Sequence, residues 1–331
     1  MKRLTIAIIV AALAYSGFWF WSASVQKDAI AHWFETRRDA GWTADYSELS
    51  VIGFPNRLDT TITSPRLGDP STGTQWETPF FQILRLSYNP KHLIAVAANE
   101  QTFSTANGEL GIKTSDLRAS LELADIKSLT PERLIVVAEG LDMASTSGFT
   151  LKSNVAQISI DATATDETQY RIGIDARGVA GSLPGLMDIA QGNDRAIDRL
   201  TLDTQITLTA PLSRTTIENA RPQLDKITIT QAEILWSGLK LSATGEVEIG
   251  HGGTPIGKIT LKLENWRAMI ASERQDTRIT QEALNQIELV LKLISGLSGN
   301  PETLDLPFDF VNGQIWLGPL KLGNAPIIAI P

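Results

Sequence analysis

Eighteen consecutive residues, Leu4 to Trp21, carry no charge, and no other stretch of this chain limits its fold so strongly. As a helix rising about 1.5 Å per residue the run is about 27 Å long, close to the roughly 30 Å hydrocarbon core of a bilayer. Lys2 and Arg3 stand before it, and Trp19 and Trp21 close it with rings suited to a membrane interface. Such a chain is either held at a membrane or exported through one. A secretory signal has a shorter apolar stretch, about 7 to 15 residues, and small residues at its cut. Ser22 and Ser24 imitate the cut, whereas the length and the bulky aromatics favour a retained anchor. Lys27, Arg37 and Arg38 soon follow the span, so charge counting leaves its orientation open.

The roughly 310 residues beyond the span suffice for a large core, near the size at which cores divide. The absence of cysteine removes both a disulfide framework and thiolate catalysis. The formal net charge of −8 comes without a basic block, which disfavours nucleic acid, since phosphate binding needs clustered cations.

Residues 1–21 read as a cytoplasmic start and anchor, and 22–41 as an amphipathic stalk helix. Ile30, Trp33 and Phe34 share one face of that helix and Gly41 stops it. The face serves either as a surface lying on headgroups or as a first helix docked on the core, and the short apolar stripe favours docking. Residues 42–331 read as a β-rich domain. It opens on Ser50-Val51-Ile52-Gly53-Phe54-Pro55-Asn56-Arg57, where Gly53 and Pro55 bracket Phe54 as a bend, and Leu58, Thr60 and Ile62 then alternate as one strand face. Arg57 could hold an anion, but one arginine without convergent partners is more simply a brace for the bend.

Alternation of apolar and polar residues recurs through Leu117 to Leu123, Tyr170 to Ala176, Leu200 to Leu208, Leu239 to Ile249 and Ile259 to Leu263. Asn107-Gly108, Ser147-Gly148, Gly252-Gly253 and Asn312-Gly313 join these runs at hairpin spacing. Helices are expected over 183–191, 212–220 and 280–295; in the last, Leu284, Ile287, Leu291 and Ile294 form a seam. The fold class is therefore α+β, mainly β: an N-terminal transmembrane helix, then a long, curved antiparallel meander with a few packed helices. A faint echo between Gly140–Gly148 and Gly238–Gly245 suggests two similar halves meeting near 183–198.

Gly53-Phe54-Pro55-x-Arg57, Trp76-x-x-Pro79-Phe80, Tyr88-x-Pro90-x-His92 and the closing Gly313-Gln314-Ile315-Trp316-Leu317-Gly318-Pro319 together resemble the domain-of-unknown-function family two-one-two-five, membrane-anchored or exported proteins of alphaproteobacteria. The resemblance runs from the anchor to Pro326. It implies an envelope location, with the protein in the bacterial inner membrane and the large domain in the periplasm, and it brings no catalytic residues. A looser likeness is to AsmA-like envelope proteins, in which an anchor precedes long sheet able to cradle acyl chains.

Catalytic motifs are wanting. His32, His92 and His251 have no ligand-spaced neighbours for a metal, and His251-Gly252-Gly253 lacks a nucleophile elbow, Gly296-Leu297-Ser298-Gly299 being mis-spaced. Asp161, Asp166 and Glu167 do not follow a calcium loop. No phosphate-cradling loop, cofactor site or catalytic group is expected, and so no enzyme. Two functions remain. In one, the sheet's dry face binds lipid or another amphiphile, with Leu121, Ile172, Leu208 and Leu241 lining the groove. In the other, the face is filled and the domain is a scaffold for envelope proteins.

Overall fold

The computed structural model describes residues 1–106, 108–163, 166–183, 187–189, 196–219, 222–236, 238–267, 285, 288 and 303–330. Its elements form two compact units, one of Met1–Lys127, Glu132–Lys152 and Leu183–Leu186, the other of Ser128–Pro131, Ser153–Ser182 and Met187–Pro331. Apart from one long helix the chain is mainly antiparallel strand, as its alternation predicts.

The first unit begins with α1 (Lys2–Asp39), a continuous helix that joins the apolar span to the amphipathic stretch without a break. After it come β1 (Thr43–Asp45), β2 (Glu48–Ile52), β3 (Asp59–Thr63), β4 (Arg66–Asp69), β5 (Thr74–Glu77), β6 (Phe80–Leu86), β7 (Asn89–Ala97), β8 (Glu100–Thr105), β9 (Gly108–Lys113), β10 (Asp116–Asp125) and β11 (Thr130–Ser145). These are pieces of longer strands broken at one level. Thr60 pairs with Ile83 and Arg66 with Glu77, so β3 and β4 run against β6 and β5 as one hairpin in one register. β7 and β8 also run against β10 and β9, with a one-residue shift of register between the two pairs, Val96 facing Arg118 and Glu100 facing Lys113. Each break holds a turn-forming or proline residue: Ser64-Pro65, Thr78-Pro79, Ala98-Asn99 and Thr114-Ser115. Backbone bonds carry the ladder across, Ser64 N to Pro79 O at 2.8 Å with Thr78 N to Pro65 O at 3.4 Å, and Thr114 N to Asn99 O at 2.8 Å. Proline cannot donate to a ladder, so Pro65 and Pro79 interrupt the strands at this level.

The second unit contains β12 (Thr150–Ala162) from Ser153 on, β13 (Gln169–Leu183) to Ser182, β14 (Met187–Ile189), β15 (Ile197–Leu208), α2 (Arg214–Asn219), β16 (Leu224–Trp236), β17 (Leu239–Ile249), β18 (Pro255–Glu264), β19 (Thr303–Val311), β20 (Gln314–Leu317) and β21 (Leu320–Asn324). From β13 through β15 to β21 each strand pairs with the next. This open meander is the expected sheet.

Of the expected helices, 212–220 appears as α2, which Ser213 caps by accepting Thr216 N at 3.3 Å. The helix expected over 183–191 is corrected where the residues are described: Leu183 completes β13 and Met187–Ile189 is strand. The misreading rested on Pro184 and Gly192, which delimit turns as readily as helices. In the expected helix at 280–295 only Asn285 and Glu288 are described, both helical, and the rest lies outside the described residues, as does Asn107 of the expected turn.

Candidate functional site

In the first unit the site is built on one stripe of α1. Tyr15, Trp19, Ala23, Gln26, Ile30 and Phe34 recur every three or four residues and so face one way. Phe34 packs with Ala44, Leu49 and Ile62, Gln26 Nε2 donates to Thr60 Oγ1 at 2.5 Å, and Trp19 and Ala23 close on Leu58. Trp19 Nε1 donates to Arg57 O at 2.8 Å and Tyr15 Oη to Pro55 O at 2.8 Å. The Gly53–Arg57 bend is therefore the seat of the helix. Phe54 stacks on Phe20 with centroids 5.7 Å apart and meets Trp19 edge-on at 5.5 Å. The Phe54–Pro55 peptide is cis. Gly53 sits at φ +111°, and a Cβ there would stand 2.8 Å from Arg57 Cβ, so the bend requires glycine. Arg57 Nε lies 2.9 Å from Asp59 Oδ2 on the strand that follows the bend.

Sequence reasoning missed Arg85. It follows Phe81 and Ile83 on the face of β6 that meets Thr60 and Ile62 of β3. Its Nε is buried without a hydrogen-bond partner among the described residues, and burial lowers its pKa. The signal was an arginine at an inward position of an otherwise apolar alternation.

The second unit carries a sheet with two opposite faces. Register places four apolar rows across it: Ala176, Leu200, Ile234, Leu241, Leu263 and Leu304; then Ile174, Leu202, Ala232, Ala243, Leu261 and Leu306. The third row runs Ile172, Thr204, Ile229, Gly245, Ile259, Phe308 and Leu317, and the fourth Tyr170, Ile206, Ile227, Val247, Gly257, Phe310 and Ile315. Seven strands at about 4.8 Å spacing make such a row about 29 Å wide. Most of these side chains are only partly buried. The ends are sealed. At one, Trp266 and Leu304, both fully buried, join Leu239. At the other, buried Tyr170 accepts Leu212 N at 2.7 Å and donates to Glu167 O at 3.0 Å, and burial raises its pKa.

The reverse face is charged. Arg171 grips Asp203 through two bonds of 2.8 and 2.6 Å, Arg199 reaches Asp175, Lys226 reaches Glu246 and Lys240 reaches Glu233. The bond from Arg171 holds Asp203 below the usual carboxylate range, and Arg199 does the same for Asp175. Carboxylates lowered in this way stabilise the fold above their unfolded value of about 3.9, and that contribution fades as pH falls through the folded value. A shallow depression on this face, lined by Ser159, Asp161, Arg171, Asp175 and Asp203, is occupied by these same pairs.

Of the expected groove residues, Ile172 and Leu241 lie in the apolar rows and Leu208 extends them beside Leu224. Leu121 belongs to the first unit, opposite Leu93 of β7. His92 Nε2 lies 2.9 Å from Ser120 Oγ, a pairing that sequence reading missed because the two are 28 residues apart. Among the described residues no carboxylate bonds its other ring nitrogen, so the pair lacks the oriented base of a triad. His32 lies 3.8 Å from Glu35 on α1.

A family model described as "Uncharacterized protein conserved in bacteria (DUF2125)" matches residues 19–326. The chain belongs to this family. The resemblance read from the sequence thus stands, and the DUF2125 match starts at Trp19, where α1 is sealed on the bend. No curated protein and no solved structure matches the chain, so the AsmA-like likeness gains no support.

Proposed function

We propose that this protein is a membrane-anchored, non-enzymatic envelope protein that holds lipid, or another amphiphile, on the apolar face of its second unit. One observation carries the reading: four cross-strand rows of mostly apolar, partly exposed side chains, backed by a polar reverse face laced with ion pairs. A row about 29 Å wide exceeds the roughly 15 Å that an acyl chain occupies in one leaflet. Each CH₂ covered contributes about 0.8 kcal/mol, so affinity needs no catalytic group.

Anchoring is supported by α1, whose most apolar window has a mean hydropathy of 1.8 and is almost wholly exposed. Docking of Trp19 and Tyr15 on the bend favours retention over cleavage near Ser22 or Ser24. Arg37, stacked 5.4 Å from Trp33 and 5.3 Å from Trp42, belongs to the docked part of the helix. Lys27 and Arg38 stay exposed after the span and balance Lys2 and Arg3 before it, so the cytoplasmic N-terminus and periplasmic domain of this reading rest on the family resemblance and not on charge.

The scaffold reading keeps one observation of its own, the exposed Leu320 and Leu322 on the last strand. Photocrosslinking separates the two. A photoreactive residue at Leu241 should label phospholipid acyl chains, while one at Ser242, on the reverse face, should not. Equal labelling, or protein adducts alone at Leu241, would favour the scaffold.

A further inference from the structure

The bend that seats α1 also sets how deep the first unit sits. Tyr15 is tied to Pro55 O, and its hydroxyl lies 3.0 Å from Ser87 Oγ, so two loops grip the helix at that level. From Leu4 to Tyr15 the helix rises about 17 Å, little more than half of a roughly 30 Å hydrocarbon core. The missing length lies in residues 16–21, beside the loops rather than beyond them. Phe18, Phe20 and Trp21 are exposed there, while Trp19 between them is sealed on Leu58.

The loops at this level are themselves apolar and open. Tyr88 is 72% exposed and Ile52 62%, and Phe54 and Leu86 are exposed as well. They form one surface: Arg57 bridges to Leu86, Ser87 N donates to Asn56 O at 2.8 Å, and Phe54 stacks on Phe20. Ile126 joins from the turn after β10, whose end is fixed here by Lys91 Nζ donating to Ala124 O at 2.7 Å. Exposed Arg57, Lys91 and Lys127 bring cations to the same end.

We infer that Ile52, Phe54, Leu86, Tyr88 and Ile126 form a collar that sinks into the interfacial layer of the bilayer around α1. The inference rests on the anchoring half of the proposed function. Its occupant is phospholipid, because the collar is continuous with the exposed side of the helix and a span cut off at Tyr15 would be too short. Aromatic and aliphatic loop tips suit that layer. The collar would hold the first unit upright instead of leaving it to swing on the helix.

The natural chain has no cysteine, so single-cysteine labelling is clean. Ile52→Cys, Tyr88→Cys, Ile8→Cys and Thr72→Cys are each labelled with an environment-sensitive fluorophore on the full-length protein. The proteins are placed in nanodiscs of phosphatidylcholine and phosphatidylglycerol containing lipids spin-labelled near the headgroup or deep in the chain. Thr72 lies in the turn after β4, whose end at Asp69 is ten positions, or about 33 Å of extended chain, from Asp59. The expected result is deep quenching at 8, and headgroup-level quenching at 52 and 88 at least about twofold stronger than at 72. Quenching at 8 with 52 and 88 as weak as 72 would overturn the collar and leave the anchor standing, with the apolar tips then free for a protein partner. Weak quenching at all four positions would overturn both.

Discussion

Trp19→Ala should destabilise the first unit by about 3–5 kcal/mol, the cost of emptying a buried tryptophan site. The ring is only 4% exposed and packs on Ala23, Leu58 and Val51. Its indole N–H also donates to Arg57 O, and losing one such part-buried bond costs about 0.5–1.5 kcal/mol. Trp19→Phe keeps most of the packing and loses only that bond, so it should fall between wild type and Trp19→Ala. Thermal unfolding of the three purified proteins, with proteolysis at the Gly53–Arg57 bend as a local probe, checks the order. A silent Trp19→Ala would mean that α1 is not seated on the bend.

Trp266→Ala should cost a similar amount, about 3–5 kcal/mol, in the second unit. Trp266 is fully buried against Leu239 and Leu304, with Trp236 and Leu263 around them, and closes one end of the apolar rows. Here the conservative variant separates the two tryptophans. Trp266 Nε1 is buried without a partner among the described residues, so Trp266→Phe removes an unsatisfied donor and should cost less than Trp19→Phe. Urea unfolding followed by tryptophan fluorescence would reveal the difference. The same cost for both phenylalanine variants would contradict the assigned bonding.

The strands were legible because a period of two is local: Leu239, Leu241 and Ala243 announce a face before any partner is known. Register is not local. That Leu241 lies between Ile234 and Leu263, with Ile172 and Leu208 on the same face, depends on bulges near Thr230 that alternation does not reveal. The stripe of α1 was hidden for the opposite reason. Within Leu4–Trp21 every position is apolar or small, so Tyr15 and Trp19 could not be told from lipid-facing neighbours; what marks them is contact with Pro55 and Arg57, about forty residues on. The motif Gly53–Arg57 was visible as a bend, whereas its role as the seat of the helix was not. Arg85 shows the limit of pattern reading, since an arginine in an apolar alternation looks like an exposed edge until the fold places it facing inward.

The central claim is that lipid covers the apolar rows of the second unit. Native mass spectrometry with lipid extraction, on the full-length protein purified from membranes and on Leu241→Asp/Leu263→Asp, tests it most directly. The account predicts about one to two retained lipids per chain, enough to cover rows of this width, and their loss in the variant with the fold intact. Wild-type protein that is folded and lipid-free, or equal lipid in both proteins, would contradict it.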